Sequence, residues 1–128
     1  LVEDGDLLNY VNDHRIPLEI CLTSNLHTKA VPDIRSHPID FYTDYGLRVT
    51  LNTDNRTISN TTVTDEYMLA INELGLDYPA VKYIILNGFK SAFLPYKERV
   101  RLINQILKEI DEIEEQELKT RVKVKENL

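Results

Sequence analysis

The stretch whose reading decides the fold is Leu47-Arg48-Val49-Thr50-Leu51-Asn52-Thr53-Asp54-Asn55, followed by Arg56-Thr57-Ile58-Ser59-Asn60-Thr61-Thr62. Apolar residues alternate from Leu47 to Leu51, which predicts a strand over 47–52. The chain then turns polar at Asp54 and Asn55. An Asp-Asn pair with serines and threonines behind it is an ordinary turn composition, because short polar side chains bond their own backbone and tolerate unusual dihedrals. The alternative is that the strand aims a carboxylate and an amide at a site beyond its C-terminal end. The neighbouring elements must choose between the two.

Upstream, Asp4 can cap a short helix with Leu7, Leu8 and Val11 on one face. Pro17 leads Leu18-Glu19-Ile20-Cys21-Leu22, which reads as a strand, and Thr23-Ser24-Asn25 reads as a polar loop. Pro38 then opens a helix through Ile39, Phe41, Tyr42 and Tyr45, with Gly46 as its stop. Helix, strand, helix, strand with short links predicts parallel crossover units, each helix packing back over the sheet.

Downstream the pattern is helical throughout. Thr64, with Asp65 and Glu66 behind it, predicts a capped helix through Met68, Ile71 and Leu74, closed by Gly75. Pro79 opens a helix from Ala80 to Phe93 whose Val81, Ile84, Ile85 and Leu86 are broad enough in their apolarity to predict burial. From Pro95, an amphipathic segment carries Val100, Ile103, Ile106, Leu107 and Ile110, then turns acidic at 111–117, where fraying is expected. Residues 1–116 are expected to belong to the folded portion and 117–128 to a charged tail. Two strands make too small a parallel sheet to stand alone. The chain is therefore expected either to be the C-terminal portion of a larger α/β protein or to complete its sheet with another chain.

The 128 residues suffice for one compact domain, and 42% hydrophobic with 28% charged residues is a globular composition. No apolar run approaches the ~20 residues of a membrane span. The acidic start, Leu1-Val2-Glu3-Asp4-Gly5-Asp6, does not resemble a secretory signal, so a cytoplasmic location is expected. Cys21 is the single cysteine, which rules out an internal disulfide or a thiolate cluster. A net charge of −6 argues against nonspecific binding to nucleic acid and favours a small molecule as the nucleotide-like partner.

Three motifs taken in order, Ile16 to Asn25, His37-Pro38 and Val49 to Asn55, resemble the C-terminal part of the adenosine deaminase family. Thr64-Asp65-Glu66-Tyr67 and Asn87-Gly88-Phe89-Lys90-Ser91-Ala92-Phe93-Leu94 extend the resemblance, which covers roughly residues 1 to 112. The family implies a metal-dependent (β/α)₈ TIM barrel with its site at the C-terminal strand ends, and it implies that the two strands are strands seven and eight. In the family, a zinc ion activates a water that attacks C6 of the purine ring, and ammonia leaves. The position matching the family's zinc-binding carboxylate after strand eight is Asp54. The histidine ligands and the catalytic glutamate of the family lie upstream of the segment matched here, so no catalytic residue is expected within this chain. Ser24, at the mouth of the implied barrel, is expected to support the metal site from behind.

Asn55 departs from the family's commoner pattern, in which a second aspartate donates to purine N7. An amide is a donor at any pH, whereas a carboxylate must first be protonated, so purine recognition survives the change. The implied function of the complete enzyme is deamination of adenosine to inosine. Adenine or another 6-aminopurine is the alternative substrate, and a noncatalytic docking module is the alternative class if the native chain begins at Leu1. Association with the missing N-terminal portion, or self-association, is expected in either case. With one cysteine, the chain cannot belong to the deaminases whose zinc motif is Pro-Cys-x-x-Cys. His14, His27 and His37 are not spaced as metal ligands and read as structural or solvent-facing, His37 as a potential helix cap. Cys21 reads as a small buried apolar residue rather than a nucleophile.

Overall fold

The structure is a computed structural model describing residues 1–127; Leu128, the end of the charged tail, lies outside the described residues. The chain forms two compact units, one from Leu1 to Ser91 and a second beginning at Ala92. In the first unit, helix α1 (Gly5–Asp13) leads to strand β1 (Leu18–Ile20) and helix α2 (Leu22–His27). A 3-10 turn (Ile34–Ser36), helix α3 (Ile39–Tyr45) and strand β2 (Val49–Leu51) follow, and then helices α4 (Arg56–Ser59), α5 (Val63–Leu74) and α6 (Tyr78–Lys90).

The strands pair in parallel, with Leu18 opposite Val49, Glu19 opposite Thr50 and Ile20 opposite Leu51. Every residue of β2 is buried, including Thr50, whose hydroxyl donates to the Leu18 carbonyl. Leu47, Val49, Leu51 and Ile20 form one core with Leu8 and Val11 of α1, Ile39 of α3, Ala70 of α5 and Ile84 of α6. The entry to β2 is fixed from several sides. Gly46 ends α3 at φ 88°, a left-handed turn that costs glycine little. The carbonyl of Gly46 accepts from Arg15 Nη1 at 2.8 Å and from the Tyr83 hydroxyl at 3.1 Å. Beyond it, the buried Asn87 Nδ2 donates to the Val49 carbonyl at 3.0 Å, which satisfies a strand acceptor that β1 does not reach.

Several predicted boundaries shift. Strand β1 stops at Ile20, because Cys21 is the N-cap of α2 and Leu22 its fully buried first residue. Thr23, Ser24 and Asn25 are therefore helical rather than loop. The cap of α5 is Thr62, not Thr64. Thr62 accepts from the Asp65 backbone and Asp65 reaches back to the Thr62 N–H, forming a capping box. Along α5 it is Glu66 and Ala70 that face the core, and Met68 and Ile71 are exposed. Helix α6 is capped by Asp77 and ends at Lys90 instead of Phe93; only Ile84 and Asn87 are buried along it. Pro38, not His37, occupies the N-cap position of α3.

The second unit is dominated by helix α7 (Tyr96–Glu126), 31 residues long. It does not fray at 111–117. Glu115 and Glu117 stand four residues before Lys119 and Arg121, the orientation in which acid–base pairs support a helix. No residue of α7 is buried. Among the described residues, no helix is long and apolar enough to cross a membrane.

Candidate functional site at the C-terminal end of the parallel strands

Both strands run out toward the same end of the sheet, and the residues that follow them meet there. After β2, the Asn52 amide donates to the Thr50 hydroxyl at 2.7 Å, holding the exit of the strand. Asp54 follows and is exposed. After β1, α2 begins at once and presents Ser24, whose hydroxyl donates to Asp54 Oδ2 at 2.9 Å. The sequence pairing of Ser24 with Asp54 is thus a direct contact between residues 30 apart. One carboxylate oxygen is committed to this bond, and Oδ1 has no hydrogen-bond partner among the described residues.

Asn55 is the N-cap of α4, a helix not anticipated from the sequence. Its Oδ1 accepts from the Thr57 and Ile58 backbone N–H groups, at 3.1 Å each. The two donors dictate which end of the amide is oxygen. Nδ2 is consequently the outward group, adjoining Asp54 in sequence. The turn reading of Asp54-Asn55 is correct for the backbone, since Asn55 caps a helix, and the same cap fixes the side chain as a donor.

The first turn of α2 is tied to its surroundings at three successive residues. The Thr23 N–H donates to both carboxylate oxygens of Glu66, at 3.3 Å each, and Ser24 donates to Asp54. The Asn25 amide lies 2.9 Å from His37 Nε2. With Asn25 Nδ2 as donor, Nε2 is the acceptor and the ring proton sits on Nδ1, which is buried without a partner. Burial lowers the pKa of His37 from its ordinary value of 6.5, against a smaller upward pull from Asp40. His37 thus holds α2 against the start of α3 as a neutral ring.

Cys21 sits among carboxylates. Its thiol pKa is raised by burial first, then by Asp54, Glu66 and Glu19, which keeps it protonated and a poor nucleophile. His14 stacks on Tyr10 with ring centroids 4.0 Å apart and bonds the Tyr10 carbonyl through Nδ1, a surface role. His27 is exposed in the last turn of α2. Among the described residues, no group of three or more His, Cys, Asp or Glu side chains converges as a metal site would require. Asp54 Oδ1, with no hydrogen-bond partner among the described residues, is a carboxylate oxygen of the kind a metal ion takes.

The family model described as adenosine deaminase matches residues 1–109. The chain belongs to the adenosine deaminase family. An adenosine deaminase from Clostridium acetobutylicum is 40% identical over 101 residues, 79% of this chain and 30% of the relative. The chain thus spans about 30% of the length of that curated relative. Two crystal structures share the fold. An adenine deaminase from Arthrobacter aurescens superposes with a TM-score of 0.80 at 23% identity, over 86% of this chain and 34% of that one. An amidohydrolase from Burkholderia ambifaria with bound zinc superposes with a TM-score of 0.78 at 20% identity, over 90% and 32%. The family is one of metal-dependent hydrolases with TIM-barrel architecture, and a two-stranded parallel sheet under helices is a part of such an architecture.

The sequence reading missed Glu66 as a buried group, having taken it as part of the acidic first turn of α5. The signal was present in the capping box. With Thr62 as cap and Asp65 at the third position, Glu66 falls one position further round the helix, on the core side.

Proposed function

We propose that this chain supplies strands seven and eight of a (β/α)₈ barrel that hydrolytically deaminates adenosine to inosine, with a zinc ion bound in part by Asp54. The observation that carries the reading is the Ser24–Asp54 hydrogen bond at the strand ends. It fixes one carboxylate oxygen and leaves the other available, next to an amide whose donor end is set by its helix cap. Zinc at that position would supply Lewis-acid activation of water. This chain's own part is to hold the Asp54 carboxylate at a defined angle, with Ser24 bearing on it from behind, and to offer Asn55 Nδ2 to the purine N7 acceptor. The remaining ligands and the catalytic groups come from outside residues 1–128, so residues 1–116 act as the C-terminal portion of the barrel, and 117–128 are its charged tail.

Adenosine is the first substrate because the sequence relative is an adenosine deaminase. Adenine or another 6-aminopurine is the second, with the likeness to the Arthrobacter adenine deaminase fold in its support. In the full-length enzyme, Asp54→Ala is expected to abolish deamination and lower zinc content while leaving the fold intact. Full turnover with unchanged zinc would reduce Asp54 to a turn residue.

A further inference from the structure

The geometry points to Glu66 as a positioning residue for the metal-binding carboxylate, acting on Asp54 through helix α2 and Ser24; this rests on the reading of Asp54 as a ligand. Glu66 is 1% exposed, and the hydrogen bonds to its carboxylate come from neutral donors, the Thr23 N–H and the buried Thr61 hydroxyl at 3.1 Å. A carboxylate desolvated to this degree is costly unless every lone pair it offers is used. What it does is structural in a specific direction. The N-cap of α2, Cys21, makes no side-chain bond to the helix, so the first turn of α2 lacks a cap of its own. Glu66 supplies one from α5, gripping Thr23 with both oxygens. The next residue is Ser24, and its hydroxyl is the group on Asp54 Oδ2.

The chain of contact therefore runs from the Glu66 carboxylate to the Thr23 backbone, then to the adjoining Ser24 hydroxyl, and from there to Asp54. Each link is a hydrogen bond or a peptide bond, and no long flexible side chain intervenes beyond Glu66 itself, which is buried. If α2 slides or its first turn loosens, Ser24 leaves Asp54 and the carboxylate regains its rotational freedom. A metal ligand that must be reoriented at each binding event holds its ion less tightly.

The test is a double-mutant cycle on metal affinity in the full-length enzyme, read by competition with a chromophoric zinc chelator, with secondary structure and thermal unfolding monitored alongside. Ser24→Ala is expected to weaken zinc binding about tenfold, the scale of outer-contact mutations at metal sites. Glu66→Gln, which keeps shape but gives up the charge-assisted grip, is expected to weaken it roughly three- to tenfold. In the Ser24→Ala background, Glu66→Gln is expected to have no further effect, because the route to Asp54 is already cut. Thr61→Val, which removes one donor to Glu66 without changing volume, serves if Glu66→Gln does not fold and should show the same dependence on Ser24. An equal loss from Glu66→Gln in both backgrounds would mean a general field or stability effect and would overturn the proposal, as would no loss at all. Asp54→Ala separates the two levels. Zinc retained in that variant removes the ligand reading itself, whereas zinc lost there but unaffected by Glu66→Gln removes only the role of Glu66.

Discussion

Replacing Asn55 tests substrate recognition most directly, because its two ends do different work. Oδ1 carries the cap of α4 through two 3.1 Å bonds, and Nδ2 is the proposed donor to purine N7. Asn55→Ala removes both, at a cost of about 1 kcal/mol in local stability from the lost cap. Loss of the substrate bond adds ~0.5–1.5 kcal/mol to the barrier, roughly a three- to tenfold fall in kcat/KM. Asn55→Ser separates the contributions, since serine caps about as well as asparagine but is too short to reach the ring. In the full-length enzyme, both variants should therefore lose similar amounts of adenosine turnover, while only the alanine variant loses stability. The assay is the ultraviolet change on deamination, run on adenosine and on 7-deazaadenosine, whose ring carbon at that position cannot accept. Both variants should handle the 7-deaza compound nearly as the parent enzyme does, with competitive inhibition constants measured where its turnover is slow. Equal losses on the two compounds would refute donation to N7 and leave Asn55 as a helix cap alone.

The 128-residue chain by itself is expected neither to release ammonia from adenosine nor to retain stoichiometric zinc, since Asp54 is one ligand of several; chelator-sensitive ammonia release from the purified chain would contradict this. With only β1 and β2 in its sheet, the same chain is expected to self-associate through strand edges, and a monomer in sedimentation with cooperative unfolding would count against the barrel-portion reading. His37 makes stability acid-sensitive. Its native pKa lies below the ordinary 6.5, so the unfolded state binds the proton more readily. Stability is thus fully present above that ordinary value and falls as pH drops through the lowered one. Urea midpoints measured from about pH 7.5 down to about pH 5 should fall less steeply in His37→Gln, which keeps an acceptor for Asn25 but does not titrate. Tyr67, pushed up to about 12 by burial, should be among the last tyrosines to ionise in an alkaline absorbance titration.

What could be read from sequence was the part governed by periodicity and punctuation. Alternation at 47–51, the Gly46 and Gly75 stops, the cap at Asp4 and the helix-opening Pro79 placed the elements and their parallel order. Asp54 and Ser24 were found through ordered motifs and turn out to touch. The short helices escaped because nothing in their composition separates them from loops. Four residues of α4 and six of α2 are too few to show a period, and Thr, Ser and Asn are depleted in helix interiors. The start of α4 is fixed by its own cap, Asn55, and the start of α2 by a tertiary anchor, Glu66. The two-residue error at the cap of α5 had a different root: Thr62 and Thr64 both carry a capping hydroxyl, and the acid three residues on, Asp65, completes a capping box with Thr62 alone of the two.

Successive side chains of an α-helix point about 100° apart, so the Ser24 and Asn25 side-chain bonds leave α2 in two directions, while the Thr23 backbone N–H points along the axis to Glu66; the three bonds engage three different parts of the chain. Inserting one residue between Thr23 and Ser24 would rotate both side chains away from their partners at once, with the N–H still on Glu66. Point substitutions at Ser24 or Asn25 release one side-chain anchor at a time and can be offset at the partner position. Natural variation at this turn should therefore consist of paired replacements at constant length, whereas length changes should collect after His27, where the exposed stretch 28–30 makes no comparable long-range side-chain bond.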